Sequence, residues 1–141
     1  MVDCVKTEYE NVPISIFATS FGAYLFLNYL KNSTTDFKHI LHSPAIFMDE
    51  VLLNSILLDH NILPKQLLSQ EVDLGYNRVI AVDHDFLQSL KDNKLTSHVF
   101  TKHINIIQGD TDDYVDILKN KQFYQSNLLD YNVHTKKIFT N

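Results

Sequence analysis

Pro13 to Leu30 reads P-I-S-I-F-A-T-S-F-G-A-Y-L-F-L-N-Y-L, and this stretch decides the fold. It begins with a short run of β-branched and aromatic residues, Ile14 to Phe17, which is typical of a buried parallel strand. From Ala23 onward the dense apolar residues predict a buried helix. A strand that passes into a helix over so few residues needs a tight turn, and Ser20 lies at its centre.

The turn has small residues two positions before and two positions after Ser20, namely Ala18 and Gly22. A hydroxyl at the apex of a strand-to-helix turn with such neighbours is typical of a nucleophile elbow. The apex backbone is strained, so the flanking residues must lack bulk where strand and helix converge. The alternative is that Ser20 is a helix N-cap, which is common between a strand and a helix but needs no small neighbours. We therefore expect a positive φ at Ser20.

The A-T-S-F-G sequence around Ser20 resembles the G-x-S-x-G motif of the α/β-hydrolase superfamily, in particular its serine esterases, lipases and peptidase-like members. Ala18 stands where the motif has its first Gly. The resemblance implies an α/β fold with a mostly parallel sheet and helices on its faces. It also implies that Ser20 is the nucleophile for hydrolysis of ester, thioester or peptide-like bonds, with the backbone N–H of Phe21 as a donor to the oxyanion.

Three later stretches predict further strands, which gives a sheet of about four. They are Phe37–His42, Ile104–Gln108 and Val133–Phe139. The order strand, helix, strand with short links predicts that the first two strands are parallel. The last stretch alternates and carries two lysines, as edge strands do.

The interval 46–95 is expected to be a helical insertion between the second and third strands. Its apolar residues recur at helical spacing in two groups: Val51, Leu52 and Ile56, then Ile62, Leu67, Leu68 and Val72. Asp83 or Asp85 is expected to cap a further helix. The resembled family carries helical lids at this place, but a lid and a plain pair of packing helices give the same pattern. The whole chain, 1–141, is expected to form a single, incomplete domain.

Asp112 is the candidate acid of a catalytic triad. Gly109, Asp112 and Val115 match the family's pattern G-x-x-D-x-x-V directly after a predicted strand. The resemblance implies that this carboxylate holds a histidine in the required tautomer. It should lie at the same sheet edge as Ser20, because parallel strands deliver their C-terminal loops to one edge. The alternative is an aspartate that only stabilises the N-terminus of the next helix.

No metal or cofactor is expected. The acidic run Asp110–Asp113 lacks the spacing and the final Glu of an EF-hand calcium loop. No pair of histidines has the spacing of a zinc site.

The resemblance also implies a histidine after the last core strand, and residues 1–141 do not contain one there. Only His134 follows Asp112, and it is expected at the start of its strand, at the wrong end to reach Ser20. The chain therefore resembles only the C-terminal portion of the family's domain. We expect little or no esterase activity from it alone, and a homo-oligomer or a complementing chain that covers the exposed sheet edge. A competing interpretation is a non-catalytic remnant or one half of a split domain. A third, a small flavodoxin-like binding domain, does not explain the small residues beside Ser20.

The composition of the chain limits the classes of partner that we expect. The chain has 141 residues, is 45% hydrophobic and carries a net charge of −5, so no nucleic acid or anionic membrane is expected to bind. Its one cysteine, Cys4, excludes an intramolecular disulfide and fits a reducing compartment. No signal peptide and no membrane helix are predicted. We expect a cytoplasmic protein that acts on a small-molecule acyl substrate.

Overall fold

The computed structural model describes residues 8–9, 12–59, 61, 70–73 and 79–136. In chain order its elements are β1 (Ser15–Thr19), α1 (Phe21–Asn32), β2 (Lys38–His42), α2 (Met48–Val51), a π-helical turn (Leu52–Ile56), α3 (Leu57–Asp59), β3 (Gln70–Asp73), β4 (Val79–Val82), α4 (His84–Asp92), a 3₁₀ turn (Leu95–Ser97), β5 (Ile104–Gly109), α5 (Ile117–Asn127) and β6 (Tyr131–Lys136).

The main sheet of the described residues has four parallel strands in the order β1-β2-β5-β6. The predicted fold class is confirmed. β1 and β2 pair from Ser15 with Lys38 through Thr19 with His42, as expected for a strand–helix–strand unit. The last strand begins two residues before the predicted Val133, and residues 137–141 lie outside the described part of the chain.

Helix α1 packs on one face of this sheet. Its buried residues recur at helical spacing: Ala23, Tyr24, Phe26, Leu27 and Leu30. The strand residues that face the helices are buried too, among them Leu41 of β2 and Ile106 of β5, which pair in register. The opposite face of the sheet is open, and Phe17 and Ile40 are exposed on it. The core therefore lies on one side of the sheet only, as far as the described residues show.

The insertion between β2 and β5 is partly helical, and one expectation about it is wrong. Residues 48–59 are helical, and Met48, Leu52 and Leu57 enter the core. Val72, expected on a helix, lies instead in β3, which pairs antiparallel with β4. Val72 and Val82 are both buried, so the hairpin adds its alternate residues to the core. The other residues of that predicted helix, Ile62, Leu67 and Leu68, lie outside the described residues.

Helix α4 begins where the sequence predicts. Asp83 is its N-cap, and its Oδ1 accepts a hydrogen bond of 2.7 Å from the N–H of Phe86. In the described parts of the chain, no helix is long and apolar enough to cross a membrane.

Candidate active site

Ser20 joins the end of β1 to the start of α1 in a strained conformation. Its φ is 49° and its ψ is −118°, and the residue is exposed. The predicted positive φ at the strand-to-helix turn is confirmed. A residue other than Gly in such a conformation costs about 1–3 kcal/mol and persists only where the surroundings enforce it.

Hydrogen bonds enforce this conformation from both sides of Ser20. Its N–H donates to the carbonyl oxygen of His42 at the end of β2, at 3.0 Å. Its carbonyl oxygen accepts from the N–H groups of Ala23, Tyr24 and Ala45 at 3.1–3.2 Å. Ala45 lies in the loop after β2, so the Ser20 turn is tied to the helix, the neighbouring strand and the next loop.

The Ser20 side chain does not cap the helix. Its hydroxyl makes no capping hydrogen bond. The aspartates that precede α4 and α5 do cap their helices, and Asp116 accepts from the N–H groups of Leu118 and Lys119 at 3.0 Å. Ser20 therefore occupies the N-cap position of α1 without capping the helix through its side chain. Phe21 is the first residue of α1, and the first N–H groups of a helix have no intrahelical acceptor.

The steric reason predicted for Gly22 is not what the structure shows. A Cβ added at Gly22 would meet no heavy atom within 4 Å among the described residues. A small residue is therefore not required there by the packing of strand against helix. Ala18, on the other side of the turn, does pack partly against the core.

A second strained serine, Ser43, follows β2 at the same edge of the sheet. Its φ is 40° and it is only 7% exposed. The N–H of Ser43 donates to the carbonyl oxygen of Ile107 at 2.8 Å, and its Oγ accepts from the N–H of Gly109 at 3.3 Å. Ser43 thus links the ends of β2 and β5. Sequence analysis missed this role, although the Ser43-Pro44 pair after a strand marks the turn.

Asp112 lies in the loop after β5. Since β1, β2 and β5 are parallel, this loop and Ser20 are at the same edge, with β2 between them. Oδ1 of Asp112 accepts hydrogen bonds from the N–H groups of Tyr114 and Val115, at 3.0 and 2.9 Å. These bonds order the loop, while Asp116 caps the following helix. Asp112 therefore does not cap this helix through its side chain, and the hydrogen bonds that it makes are those of a residue that orders the loop.

The structure changes the reason why His134 does not reach Ser20. The sheet register runs from Thr19 to His42, then to Ile107 and His134. His134 is therefore level with Thr19, and the expectation that it lies at the wrong end of its strand is wrong. It is three strands away from β1, which at the usual strand spacing is about 14 Å.

His42 is the histidine at the end of the strand next to Ser20. Its Nδ1 is 3.1 Å from the hydroxyl oxygen of Thr19, and its ring stacks on Phe17 with centroids 6.3 Å apart. The side chain thus lies on the open face of the sheet, paired with Thr19. This pairing is a structural role.

Buried polar side chains form a hydrogen-bonded network next to this edge of the sheet. Nδ2 of Asn120 donates to the carbonyl oxygen of Pro44 at 2.9 Å and to Oε1 of Gln108 at 3.2 Å. The hydroxyl of Tyr124 donates to the same Oε1 at 2.8 Å. Burial raises the pKa of Tyr124, so its phenol keeps its proton and remains a donor. The network fixes the loop after β2 relative to β5 and α5.

A cavity of about 200 Å³ opens between the loop after β2 and the start of α5. Its lining includes Ala45, Ile46, Phe47, Val51, Val115 and Lys119. Lys119 forms an ion pair with Glu50 and lies 5.6 Å from the ring centre of Phe47. Ala45 connects this cavity to the serine turn, because its N–H donates to the carbonyl oxygen of Ser20, whereas Ser20 itself does not line the cavity.

Within the described residues, His, Cys, Asp and Glu form no group of three that could hold a metal ion.

Several solved structures that share this architecture are named as hydrolases or esterases. The chain superposes on Est1E from Butyrivibrio proteoclasticus with a TM-score of 0.70 at 16% identity, covering 96% of this chain and 57% of that one. It superposes on alpha/beta hydrolase domain-containing protein 10 from mouse with a TM-score of 0.64 at 13% identity, covering 99% and 58%. The esterase domain of a Rhodothermus marinus protein gives a TM-score of 0.64 at 18% identity, covering 96% and 55%.

These similarities show the fold: the chain has a partial α/β-hydrolase fold. It spans a little more than half the length of each of these chains. No protein-family model and no curated protein sequence matches it.

Proposed function

We propose that this chain is the nucleophile-bearing part of a serine acyl hydrolase, with Ser20 as the nucleophile. The substrate is a small molecule with an ester, thioester or peptide-like bond. The observation that carries the proposal is the Ser20 turn: an exposed serine held at φ 49° whose hydroxyl makes no capping bond. Strain of this kind is retained where it serves function.

The chemistry follows from where Ser20 lies. Its Oγ attacks the carbonyl carbon, and the bond to the leaving group breaks to give an acyl-serine that water then hydrolyses. The N–H of Phe21, at the positive end of α1, would donate to the developing oxyanion and stabilise it. Asp112 would hold the histidine that takes the serine proton, leaving its Oδ2 for the imidazole while Oδ1 orders the loop.

The cavity beside the serine turn supports a small substrate. A cavity of about 150 Å³ holds a benzene molecule. The volume here, about 200 Å³, suits a group only slightly larger. Its lining combines the apolar side chains of Phe47 and Val115 with the charged side chains of Glu50, Asp116 and Lys119, so it suits a group that has both apolar and polar parts. The insertion 46–95 contributes part of this lining, so we propose that it serves as the lid of the site.

The general base is proposed to come from outside residues 1–141. His42 is paired with Thr19, and His134 is about 14 Å across the sheet. A longer product of the same gene, a second copy or a complementing chain beside β1 could supply the histidine and the second oxyanion donor. The single cysteine supports a cytoplasmic location for this assembly.

Hydrolysis of an activated aryl ester tests the proposal. The chain alone should give turnover near background, because a serine without its base is hardly ionised at neutral pH. In a comparable serine hydrolase, loss of one key triad member cost about as much as loss of all three. Added imidazole should restore part of the missing step. The gain above the free imidazole reaction should vanish in Ser20→Ala and persist in the matched control Ser126→Ala, an exposed serine on α5.

Three outcomes would change the assignment. Robust turnover without imidazole that is lost in both Ser20→Ala and His134→Ala would make His134 the base. The same loss in His42→Ala would assign that role to His42. An imidazole response that Ser20→Ala leaves intact would favour the second interpretation, a non-catalytic remnant. The open edge of β1 and the open face beside it are the observations that favour this alternative.

A further inference from the structure

One wall of the cavity between the loop after β2 and the start of α5 is irregular in backbone. Val51 and Asn54 belong to this wall, and they lie next to and within the π-helical turn Leu52–Ile56. The N–H of Leu57 donates to the carbonyl oxygen of Leu52, five residues back. Single π-helical turns inside helices are rare, and they are frequent at functional sites. The insertion therefore departs from a regular helix where it meets this cavity.

Asn120 brings an unused hydrogen-bond acceptor to the same cavity. The residue lines the cavity and is 1% exposed. Its Nδ2 donates to the carbonyl oxygen of Pro44 and to Oε1 of Gln108, neither of which lines the cavity. Its Oδ1 has no hydrogen-bond partner among the described residues. A buried acceptor without a donor is unfavourable, so a ligand that donates a hydrogen bond to Oδ1 would relieve this.

The charged groups of the lining favour a cation over an anion. Two carboxylates, those of Glu50 and Asp116, stand against the one ammonium of Lys119. That ammonium pairs with Glu50 and lies 5.6 Å from the ring centre of Phe47, so the lining already holds one ammonium between a carboxylate and an aromatic ring. A helix N-terminus attracts anions, but Asp116 already caps the N-terminus of α5.

We propose that this cavity binds a small molecule that carries a primary ammonium and an apolar group about the size of a phenyl ring. The ammonium donates to Oδ1 of Asn120, and Glu50 and Asp116 supply the negative charge. The apolar group packs on Phe47 and Val115. A cavity of about 150 Å³ holds benzene. The cavity here, at about 200 Å³, leaves room for the further group.

Titration of the isotope-labelled full chain with three aromatic probes of similar size tests the proposal. Benzylamine carries the ammonium, benzyl alcohol a neutral donor and benzoate an anion. Amide NMR spectra should show saturable binding of benzylamine with a Kd on the order of 1 mM, as expected for a ligand of so few atoms. The side-chain amide signal of Asn120 should shift. Benzyl alcohol should bind about fivefold more weakly, which is the factor that one partly exposed charge supplies, and benzoate more weakly still.

Two charge variants form a matched pair, because Glu50 and Lys119 are partly exposed partners in one ion pair and have opposite charges. Glu50→Gln should abolish the preference for benzylamine over benzyl alcohol, and Lys119→Gln should raise it above fivefold. Val51→Phe fills the cavity and should weaken benzylamine binding by about tenfold or more. Its control, Val99→Phe, is at a residue that is 49% exposed and outside the lining, and it should change nothing.

The amine has two possible sources, and labelling of Ser20 distinguishes them. Ser20 does not line this cavity, so binding of the amine does not depend on Ser20 chemistry. If the ammonium belongs to the acyl substrate of the proposed function, saturating benzylamine should slow labelling of Ser20 by a fluorophosphonate in the presence of imidazole. If it belongs to a separate ligand, the labelling rate should not change. A failure of labelling would count against Ser20 as the nucleophile and not against this site.

Equal affinity for the three probes, a preference for benzoate, or no saturable shift of the Asn120 amide signal would overturn the proposal. So would charge variants that leave the preference for benzylamine unchanged, or that move it in the same direction. An effect of Val99→Phe as large as that of Val51→Phe would show that benzylamine binds elsewhere, which also overturns it.

Discussion

Replacing Ser20 with glycine should stabilise the chain. At φ 49° and ψ −118°, a residue with a side chain costs about 1–3 kcal/mol, and glycine removes that cost. Glycine also makes the unfolded chain more flexible, which offsets about 0.4–1 kcal/mol. The hydroxyl makes no capping bond that the change would remove. We therefore expect a net gain of about 1 kcal/mol, or a rise in Tm of roughly 2–5 °C.

Two variants control this experiment. Ser20→Ala keeps a Cβ and therefore the strain, so its stability should lie within about 0.5 kcal/mol of the wild type. Ser126→Gly makes the same chemical change inside helix α5, where glycine is unfavourable, and should destabilise by about 0.5 kcal/mol.

Thermal and urea unfolding of the four proteins measure these differences. If Ser20→Gly is no more stable than Ser20→Ala, then the turn stores no strain. The argument that this serine is held in an unfavourable conformation for function then fails.

Three further changes test other parts of the structure by the same unfolding assays. Gly22→Ala should raise the free energy of unfolding by up to about 1 kcal/mol, because alanine favours a helix more than glycine does and the added Cβ meets open space. A loss of stability would instead mean that packing requires a glycine here. Asn120→Ala should cost about 1–3 kcal/mol, because it removes the buried amide that donates to the carbonyl of Pro44 and to Oε1 of Gln108. A neutral result would mean that water replaces the amide. Burial lowers the pKa of His39 below its unfolded value near 6.5, and the carbonyl of Phe37 opposes this only in part. The unfolded chain therefore binds the proton more readily, so the free energy of unfolding should fall as pH drops from 7.5 to 5. An equal fall in the His39→Gln variant would contradict this.

The parallel core was readable from sequence because its strands are apolar runs joined by short links. The apolar run before Ser20 and the run 37–42 are too short for helices and flank a predicted helix, so both are predicted to be strands. The strain at Ser20 was also predictable, since a strand turns into a helix there with no glycine at the apex.

The hairpin of β3 and β4 could not be predicted from the sequence in the same way. Gln70–Asp73 holds one apolar residue, Val72, which fits a helical spacing as well as a strand. Its pairing with β4 and its burial in the core decide the conformation, and both are tertiary effects.

The polar groups at the sheet edge were the least predictable. Gln108, Asn120 and Tyr124 hydrogen-bond to one another in the core although nothing in their spacing suggests it. The position of His134 depended on the strand register. A strand predicted to begin two residues late placed it at the wrong end.

Mapping a covalent adduct tests the assignment of Ser20 as the nucleophile most directly. The chain is incubated with a fluorophosphonate in the presence of imidazole, and the modified peptide is identified by mass spectrometry. Our account predicts one phosphonyl group per chain, carried on Ser20 and absent from Ser20→Ala, with Ser43 and Ser126 unmodified. An adduct on another residue, or equal labelling of the wild type and Ser20→Ala, would contradict it.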